Sequence, residues 1–279
     1  MMKKIWLWDY EKEDIFHSQK RNKLFQLKRK IIYGSDPEEI SHYLVDEEEK
    51  LDLPKEYISF LHILREKKMV KEPTVLTSAQ QNFLQQFANS KLMNSFFFTG
   101  GTALSEYYLK HRLSEDLDFF SREEFPLEII ENFVTKLTHK LEYPQSEVRR
   151  VFNRTIVTYP QILKVEFVFM PFENIEQPKK IGDIYVDSLV DIGVNKLHAL
   201  LERGEPKDFV DIYFITKYYK SILDLIKLMI TKFDVKYRNI DIGAALLKVE
   251  DIKELPKMLK PLKVDELVSF FKETVKLLE

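Results

Sequence analysis

Residues 98–120 read Phe-Thr-Gly-Gly-Thr-Ala-Leu-Ser-Glu-Tyr-Tyr-Leu-Lys-His-Arg-Leu-Ser-Glu-Asp-Leu-Asp-Phe-Phe. The chain holds only 7 Gly in 279 residues, and two of them, Gly100 and Gly101, sit side by side. They follow the apolar run Phe96 to Phe98 and precede a helix-like stretch. Backbone N–H groups at a Gly-rich strand-to-helix turn can wrap phosphate oxygens, and Thr102 adds a hydroxyl. Taken alone, such a pair is more often a tight turn in which Gly supplies a positive φ. Asp116 and Asp118 follow, separated by one Leu. On a strand, residues i and i+2 point the same way, so both carboxylates converge while Leu117 enters the core. Two like charges so close are costly unless a cation or proton joins them. Mg²⁺ takes oxygen ligands and keeps positions for water and phosphate. Gly pair and Asp pair together are hardware for holding a triphosphate and Mg²⁺.

Two further groups bear on this chemistry. Glu166 lies inside the apolar run Ile-Leu-Lys-Val-Glu-Phe-Val-Phe, where a carboxylate needs a partner or a task. An adjacent strand would bring it to the Asp pair, to ligate metal or deprotonate an attacking hydroxyl. By itself, a salt bridge to Lys164 or Arg154 explains it better. The segment Asn195 to Arg203, followed by Lys207-Asp208-Phe-Val-Asp211, offers Lys196 and Arg203 to phosphates. Asp208 and Asp211 stand i,i+3 on one helix face. Without context this is a helical hairpin held by ion pairs.

The elements that must position these residues are legible from periodicity and punctuation. Residues 1–75 read as a self-contained helical extension, with helices over 14–33, from Pro37 and from Pro54, and a boundary near Pro73. Thr77 or Ser78 caps a helix to about Asn89. A strand over 96–99, a helix over 101–111 and a strand over 116–120 carry the Gly and Asp pairs. Pro126 opens a helix to about Leu141. Strands near 148–158 and 162–170 meet at a turn at Tyr159-Pro160, and 184–186 forms a last short strand. From Asp187 the pattern is helical: 187–203, 206–220, 221–233, 241–249 and 264–278. The expected fold class is α+β, with a small mixed β-sheet flanked by helices over 76–186 and a helical C-terminal part over 187–279.

Composition sets outer limits. Net charge is −2, so any nucleic-acid site is a local patch and not the whole surface. Candidates are Arg149, Arg150 and Arg154, and the C-terminal Lys253, Lys257, Lys260 and Lys263. There is no Cys, which excludes disulfides, thiolate catalysis and Cys-based zinc sites and fits a cytoplasmic location. No apolar run approaches the length of a membrane span or signal peptide, so no membrane partner is expected.

In order and spacing these motifs resemble the AbiEii/AbiGii-type nucleotidyltransferase toxins of the polymerase-β-like superfamily. The matches are Gly100 to Leu104, His111 to Phe119, Glu166, Lys196 to Arg203 and Lys207 to Ile212, within roughly residues 76–220. The resemblance implies a nucleotidyltransferase core. In it Gly100, Gly101 and Thr102 grip the triphosphate, and Asp116 and Asp118 bind Mg²⁺ or Mn²⁺. Lys196 contacts nucleotide phosphates and Asp211 completes the site. Arg112 and Ser114 take a structural or phosphate-binding role, and Asp208 braces a neighbouring Arg or Lys. Many relatives carry Asp where Glu166 stands, so Glu166 is either the third metal carboxylate or not a ligand. The implied reaction moves a nucleoside monophosphate from an NTP to an RNA acceptor, a tRNA 3′ end, in a toxin–antitoxin or abortive phage-defence setting. The alternatives are transfer to a protein or small-molecule hydroxyl, or a non-catalytic nucleotide- or RNA-binding relative. The N-terminal Ile5-Trp6-Leu7-Trp8-Asp9 is similar to small proteins that neutralise such toxins. It implies either a cis-acting antitoxin-like module or a plain helical extension beside a separate antitoxin.

Overall fold

The computed structural model describes residues 74–278, and the helices expected before Pro73 lie outside them. The described residues belong to one compact unit that begins at Thr74. The C-terminal helices are therefore part of the same unit as the sheet.

Helix α1 (Ser78–Ala88) starts at a capping box, with Thr77 and Gln80 each satisfying the other's backbone N–H. Its Phe83, Leu84 and Phe87 recur at helical spacing and are buried. Strand β1 (Phe97–Thr99) leads into α2 (Gly100–Leu104), which widens into a π turn over Ser105–Leu109. Lys110, in the left-handed region, ends it. Strand β2 (Leu117–Ser121) and helix α3 (Leu127–Leu141) follow.

The expected single strand over 148–158 is a hairpin, β3 (Glu147–Val151) and β4 (Arg154–Tyr159), turning at Phe152-Asn153. No Gly or Pro marks that turn. Phe152 takes a φ of 52° there, and Asn153 ties it to Phe169 through both its backbone carbonyl and its side-chain amide. Strand β5 (Leu163–Phe169) starts after the turn expected at Tyr159-Pro160. The short β6 (Lys179–Ile181), which periodicity did not reveal, pairs with β7 (Ile184–Val186).

The strands form one mixed sheet in the order β3-β4-β5-β2-β1-β7-β6. β2 runs parallel to β5 and β1 parallel to β7, and the other pairs are antiparallel. Strict alternation gives the sheet one apolar face: Leu117 and Phe119 of β2, Val165 and Phe167 of β5, Val157 and Tyr159 of β4 are buried. Phe87 of α1 lies 4.2 Å from the Phe119 ring, and Phe83 stacks edge-on against Phe133 of α3. That layer is the main core. The residues between, including Asp118 and Glu166, face the other way.

The remaining helices are α4 (Leu189–Arg203), α5 (Pro206–Tyr218), α6 (Ile222–Phe233), α7 (Asn239–Leu247) and α8 (Val264–Lys276). Ser188 and Ser221 cap α4 and α6. Gly204, left-handed, and Pro206 make the tight α4–α5 corner. Phe271 of α8 meets Phe209 of α5 edge-on at 5.0 Å.

Candidate active site

The Asp pair and the Gly pair meet at one end of the sheet. Thr99, the last residue of β1, stands directly opposite Asp118 on β2. Gly100 then turns away with a φ of +76°. A methyl group built on Gly100 would overlap the Asp118 carboxylate. Only a residue without a side chain lets backbone and carboxylate lie this close. Thr102 donates its hydroxyl to the Asp116 carbonyl, so it fixes the approach to β2. A methyl on Gly101 would come within 2.5 Å of Arg112 Nη2 and 3.0 Å of Ser114 Oγ. Ser114 also passes its carbonyl to buried Gln80, which binds the Glu115 carbonyl too. These contacts hold the 110–116 loop beneath the glycine turn.

Asp118 faces Glu166 directly across β2 and β5. Asp116 and Lys164 stand one step before, so the two strands present a two-by-two block. Lys164 Nζ lies 2.6 Å from Glu166 and 3.4 Å from Asp116. Arg154 reaches Glu166 from β4 at 3.3 Å. Both salt bridges that the residues alone offered to Glu166 are formed. Asp118 makes no such ion pair among the described residues: burial, with Glu166 and Asp116 nearby, pushes its carboxyl up to about 6, against the pull of Lys196.

The α4–α5 hairpin contributes a buried ionic network. Asp211 receives Arg112 through two nitrogens at 2.7 and 2.8 Å, His111 Nε2 at 2.7 Å and Lys196 at 2.9 Å. Asp208 braces Lys196 at 3.2 Å and Arg203 at 2.8 and 3.0 Å. Asp208 and Asp211 are fully buried. Cationic neighbours, Arg112 first and then Lys196, outweigh burial and hold the Asp211 carboxyl well below its usual range. Burial drives the His111 imidazole toward neutrality. Its Nε2–H therefore donates to Asp211. The backbone around His111 is pinned from the C-terminal side, where Leu259 and Lys260 donate to the His111 carbonyl and Leu113 donates to Lys257.

Of the residues singled out from sequence, Gly100, Gly101, Asp116, Asp118 and Glu166 gather at the sheet end. Arg112, Lys196 and Asp211 join each other in the buried network. Asp211 has both oxygens engaged by cations there, and Lys196 is held between two carboxylates. Lys196 is also the foremost positive charge acting on Asp118, which links this network to the sheet end. Sequence reasoning missed a second buried cluster. Asp187 accepts from Thr99 at 2.8 Å and Asn174 at 2.9 Å, and Lys232 bridges Asp191 and Asn195 at 2.7 and 3.0 Å. In sequence Asp187 reads only as a helix start, and nothing local marks its partners.

Among the described residues, no group of three or more His, Asp or Glu side chains forms a ready cage for a metal. Asp116 and Asp118 nonetheless suit an ion that brings ligands of its own. They flank a bare glycine cradle, and one of them is destabilised as an anion. Glu166 suits the role less, because two cations already occupy its oxygens. Mg²⁺, which keeps waters and takes substrate phosphates, matches this donor set.

Residues 82–276 match the family model described as the nucleotidyl transferase AbiEii toxin of type IV toxin–antitoxin systems. An uncharacterized protein of Aquifex aeolicus is 31% identical over 209 residues, spanning 72% of this chain and 96% of that protein. Solved structures with a similar outline include JHP933 from Helicobacter pylori (18% identical, 72% of this chain and 88% of that one, TM-score 0.46). Another is MenT4, a nucleotidyltransferase toxin from Mycobacterium tuberculosis (14% identical, 81% and 89%, TM-score 0.45). The family match spans the glycine turn, both aspartates, Glu166 and the α4–α5 network, and on that match the chain belongs to the AbiEii nucleotidyltransferase toxin family.

Proposed function

We propose that the protein transfers a nucleoside monophosphate from an NTP, bound with Mg²⁺, to the 3′-terminal hydroxyl of an RNA acceptor, a tRNA. The observation that carries this reading is Gly100 lying flush against Asp118: a bare-backbone niche is built directly beside a carboxylate that burial and two neighbouring acids push up to about 6 against the pull of Lys196. Gly100 and Gly101 would receive phosphate oxygens there through backbone N–H groups. Asp116 and Asp118 would hold the metal, which supplies positive charge to the reacting phosphates. Thr102 keeps Asp116 in place, and the Asp211 network keeps the 110–116 loop in place. The acceptor oxygen forms a bond to the α-phosphorus. The bond from that phosphorus to the bridging oxygen breaks, pyrophosphate departs with the electron pair, and the hydroxyl proton passes to solvent.

Support for a polynucleotide acceptor comes from the register of the sheet. Asp118, Glu166, Ile156 and Arg149 are successive partners across four strands, so Arg149 shares the face that bears the carboxylates. Arg154 stands on that face as well. Arg150 is spoken for, donating to the Phe125 carbonyl with its guanidinium over that ring.

The test is label transfer with Mg²⁺, each of four α-labelled NTPs and either total RNA or a protein lysate. Label on a tRNA-sized band, lost in the Asp116→Ala/Asp118→Ala double variant, is the expected result. Label on protein moves the acceptor to a protein hydroxyl. No transfer under any condition sinks the catalytic reading.

A further inference from the structure

In-line transfer divides the sheet into a leaving side and an entering side. The acceptor oxygen bonds to the α-phosphorus opposite the bond that breaks to pyrophosphate. With that phosphorus at the Asp pair, the groups suited to the departing phosphates lie on the β1 side of Asp118. Gly100 and Gly101 open α2 there, and α4, which carries Lys196, packs against α2. Lys196 is also the foremost positive charge acting on Asp118. The acceptor hydroxyl must then come in from the other side, over β5, β4 and β3.

Strand register decides what the acceptor meets there. From Asp118, on the carboxylate face, the successive partners are Glu166, Ile156 and Arg149. Strand spacing puts β4 about 10 Å and β3 about 14 Å from β2. Ile156 is half-buried and lies outside the hydrophobic core. A lone apolar residue on a surface is ordinary. This one lines a hollow with Glu147, Arg149 and Thr158, in the row that leads away from the Asp pair. Arg149 is exposed and makes no ion pair among the described residues. Glu147, the one acid in the hollow, stands in the next row, opposite Thr158. An apolar side chain packs against the face of a base, and an arginine holds a phosphate.

We propose that this hollow seats the 3′-terminal nucleotide of the RNA acceptor. Its ribose lies over Glu166, its base against Ile156 and its phosphate at Arg149. The pyrophosphate leaves toward the glycine turn while the acceptor enters across the β4–β3 hairpin. The inference rests on the nucleotidyl-transfer reading above and assigns the acceptor its place within it.

The experiment uses the full-length protein, total tRNA and α-labelled NTP with Mg²⁺. Arg149→Glu and Ile156→Asp put a charge that repels RNA at positions outside the core, and thermal melts check that both fold. The apparent KM for tRNA is expected to rise at least about tenfold in each, with the KM for NTP within about twofold of wild type. Arg149→Gln should lower the slope of log KM for tRNA against log salt by about 0.7, the share of one phosphate contact on a single strand. Arg149→Lys should keep that slope, and Ile156→Ala should raise KM without changing it. A merely structural residue moves neither KM ratio nor slope. A second readout needs no turnover. A photoreactive benzophenone side chain placed at Ile156 should crosslink tRNA at its last nucleotide. The same group at Ile240, well exposed on α7, should not.

An unchanged KM for tRNA in both Arg149→Glu and Ile156→Asp, with wild-type transfer intact, sinks this inference alone. So does a crosslink from position 156 that maps to the body of the tRNA. Label that goes to protein, and falls in these variants, makes the occupant a protein segment and overturns the nucleotide assignment. No transfer by the wild-type protein to any acceptor sinks the nucleotidyl-transfer reading, and this inference with it.

Discussion

Asp118 and Glu166 are direct partners across the parallel strands β2 and β5, yet their electrostatic surroundings are opposite. Glu166 touches both Lys164 and Arg154. Asp118 lies against the bare backbone of Gly100, and its carboxyl is pushed up to about 6 by burial and by the two neighbouring acids. Glu166 is thus ion-paired directly, whereas Asp118 feels its cations, Lys196 first, without an ion pair among the described residues.

Gly100→Ala tests the closeness directly. A φ of +76° costs an alanine about 1–2 kcal/mol. The larger consequence is local, since the new methyl would displace the Asp118 carboxylate. The expected protein is folded, melts several degrees lower and has lost at least about 100-fold in nucleotidyl transfer, a scale typical of misplaced reacting groups. Thermal melts beside the transfer assay check it. Wild-type activity in Gly100→Ala would mean that the niche is not where phosphate binds.

Asp211→Asn separates bracing from catalysis. Removing its charge leaves buried Arg112 and Lys196 facing an amide, and loss of one partner in a buried network costs about 3–5 kcal/mol. Asp116→Asn, at a half-exposed position with a single long contact to Lys164, should change stability by no more than about 0.5 kcal/mol while abolishing transfer. Urea unfolding of both variants gives the comparison. An Asp211→Asn protein of wild-type stability and no activity would place Asp211 among the reacting groups.

The turn at Phe152 makes a prediction about stability alone. Phe152 is 96% exposed and left-handed, so it carries a backbone cost with no burial to offset it. Phe152→Gly should stabilise the hairpin by about 1 kcal/mol, the size of the steric relief. A lower urea midpoint for the variant would show that the exposed ring has a partner.

That same turn shows what sequence could and could not carry. The glycine turn, the alternating strands and the capped helices were legible because each depends on residues within one turn or one pleat. Thr77 and Gln80, Ser188 and Asp191, Gly204 and Pro206 state their business locally. The Phe152-Asn153 turn uses none of the usual turn residues, so the hairpin read as one strand. The site residues were legible as types and not as partners. Asp211 and Lys196 stand apart from Arg112 by about a hundred and by more than eighty positions, and only folding shows that they satisfy each other. Asp208 as a brace was readable, because Arg203 and Lys196 lie on the adjoining helix. Asp187 was not, since Thr99 and Asn174 reach it from two distant segments.

Asp187 and His111 give the protein two buried groups whose linkage to pH has opposite sign. The Asp187 carboxyl is raised to about 7, by burial first and then by Asp191, against Lys232 and the donors around it. Its unfolded value is about 3.9. From about pH 4 to 7 the folded state therefore holds this proton more often than the unfolded one, and stability falls as pH rises through the window. His111 is lowered by burial, so below about 6.5 the unfolded chain takes a proton that the folded one refuses. Stability rises with pH there. Each group contributes a slope of up to about 1.4 kcal/mol per pH unit, and in the wild-type protein His111 opposes Asp187 together with Asp118, whose carboxyl is likewise raised. Denaturant unfolding at pH 5, 6 and 7 separates them. His111→Gln, which keeps a donor for Asp211, leaves the Asp187 slope and should lose stability relative to wild type as pH rises. Asp187→Asn leaves the His111 slope and should gain. Parallel curves for all three proteins would show that neither group changes its protonation between the folded and unfolded states in this range.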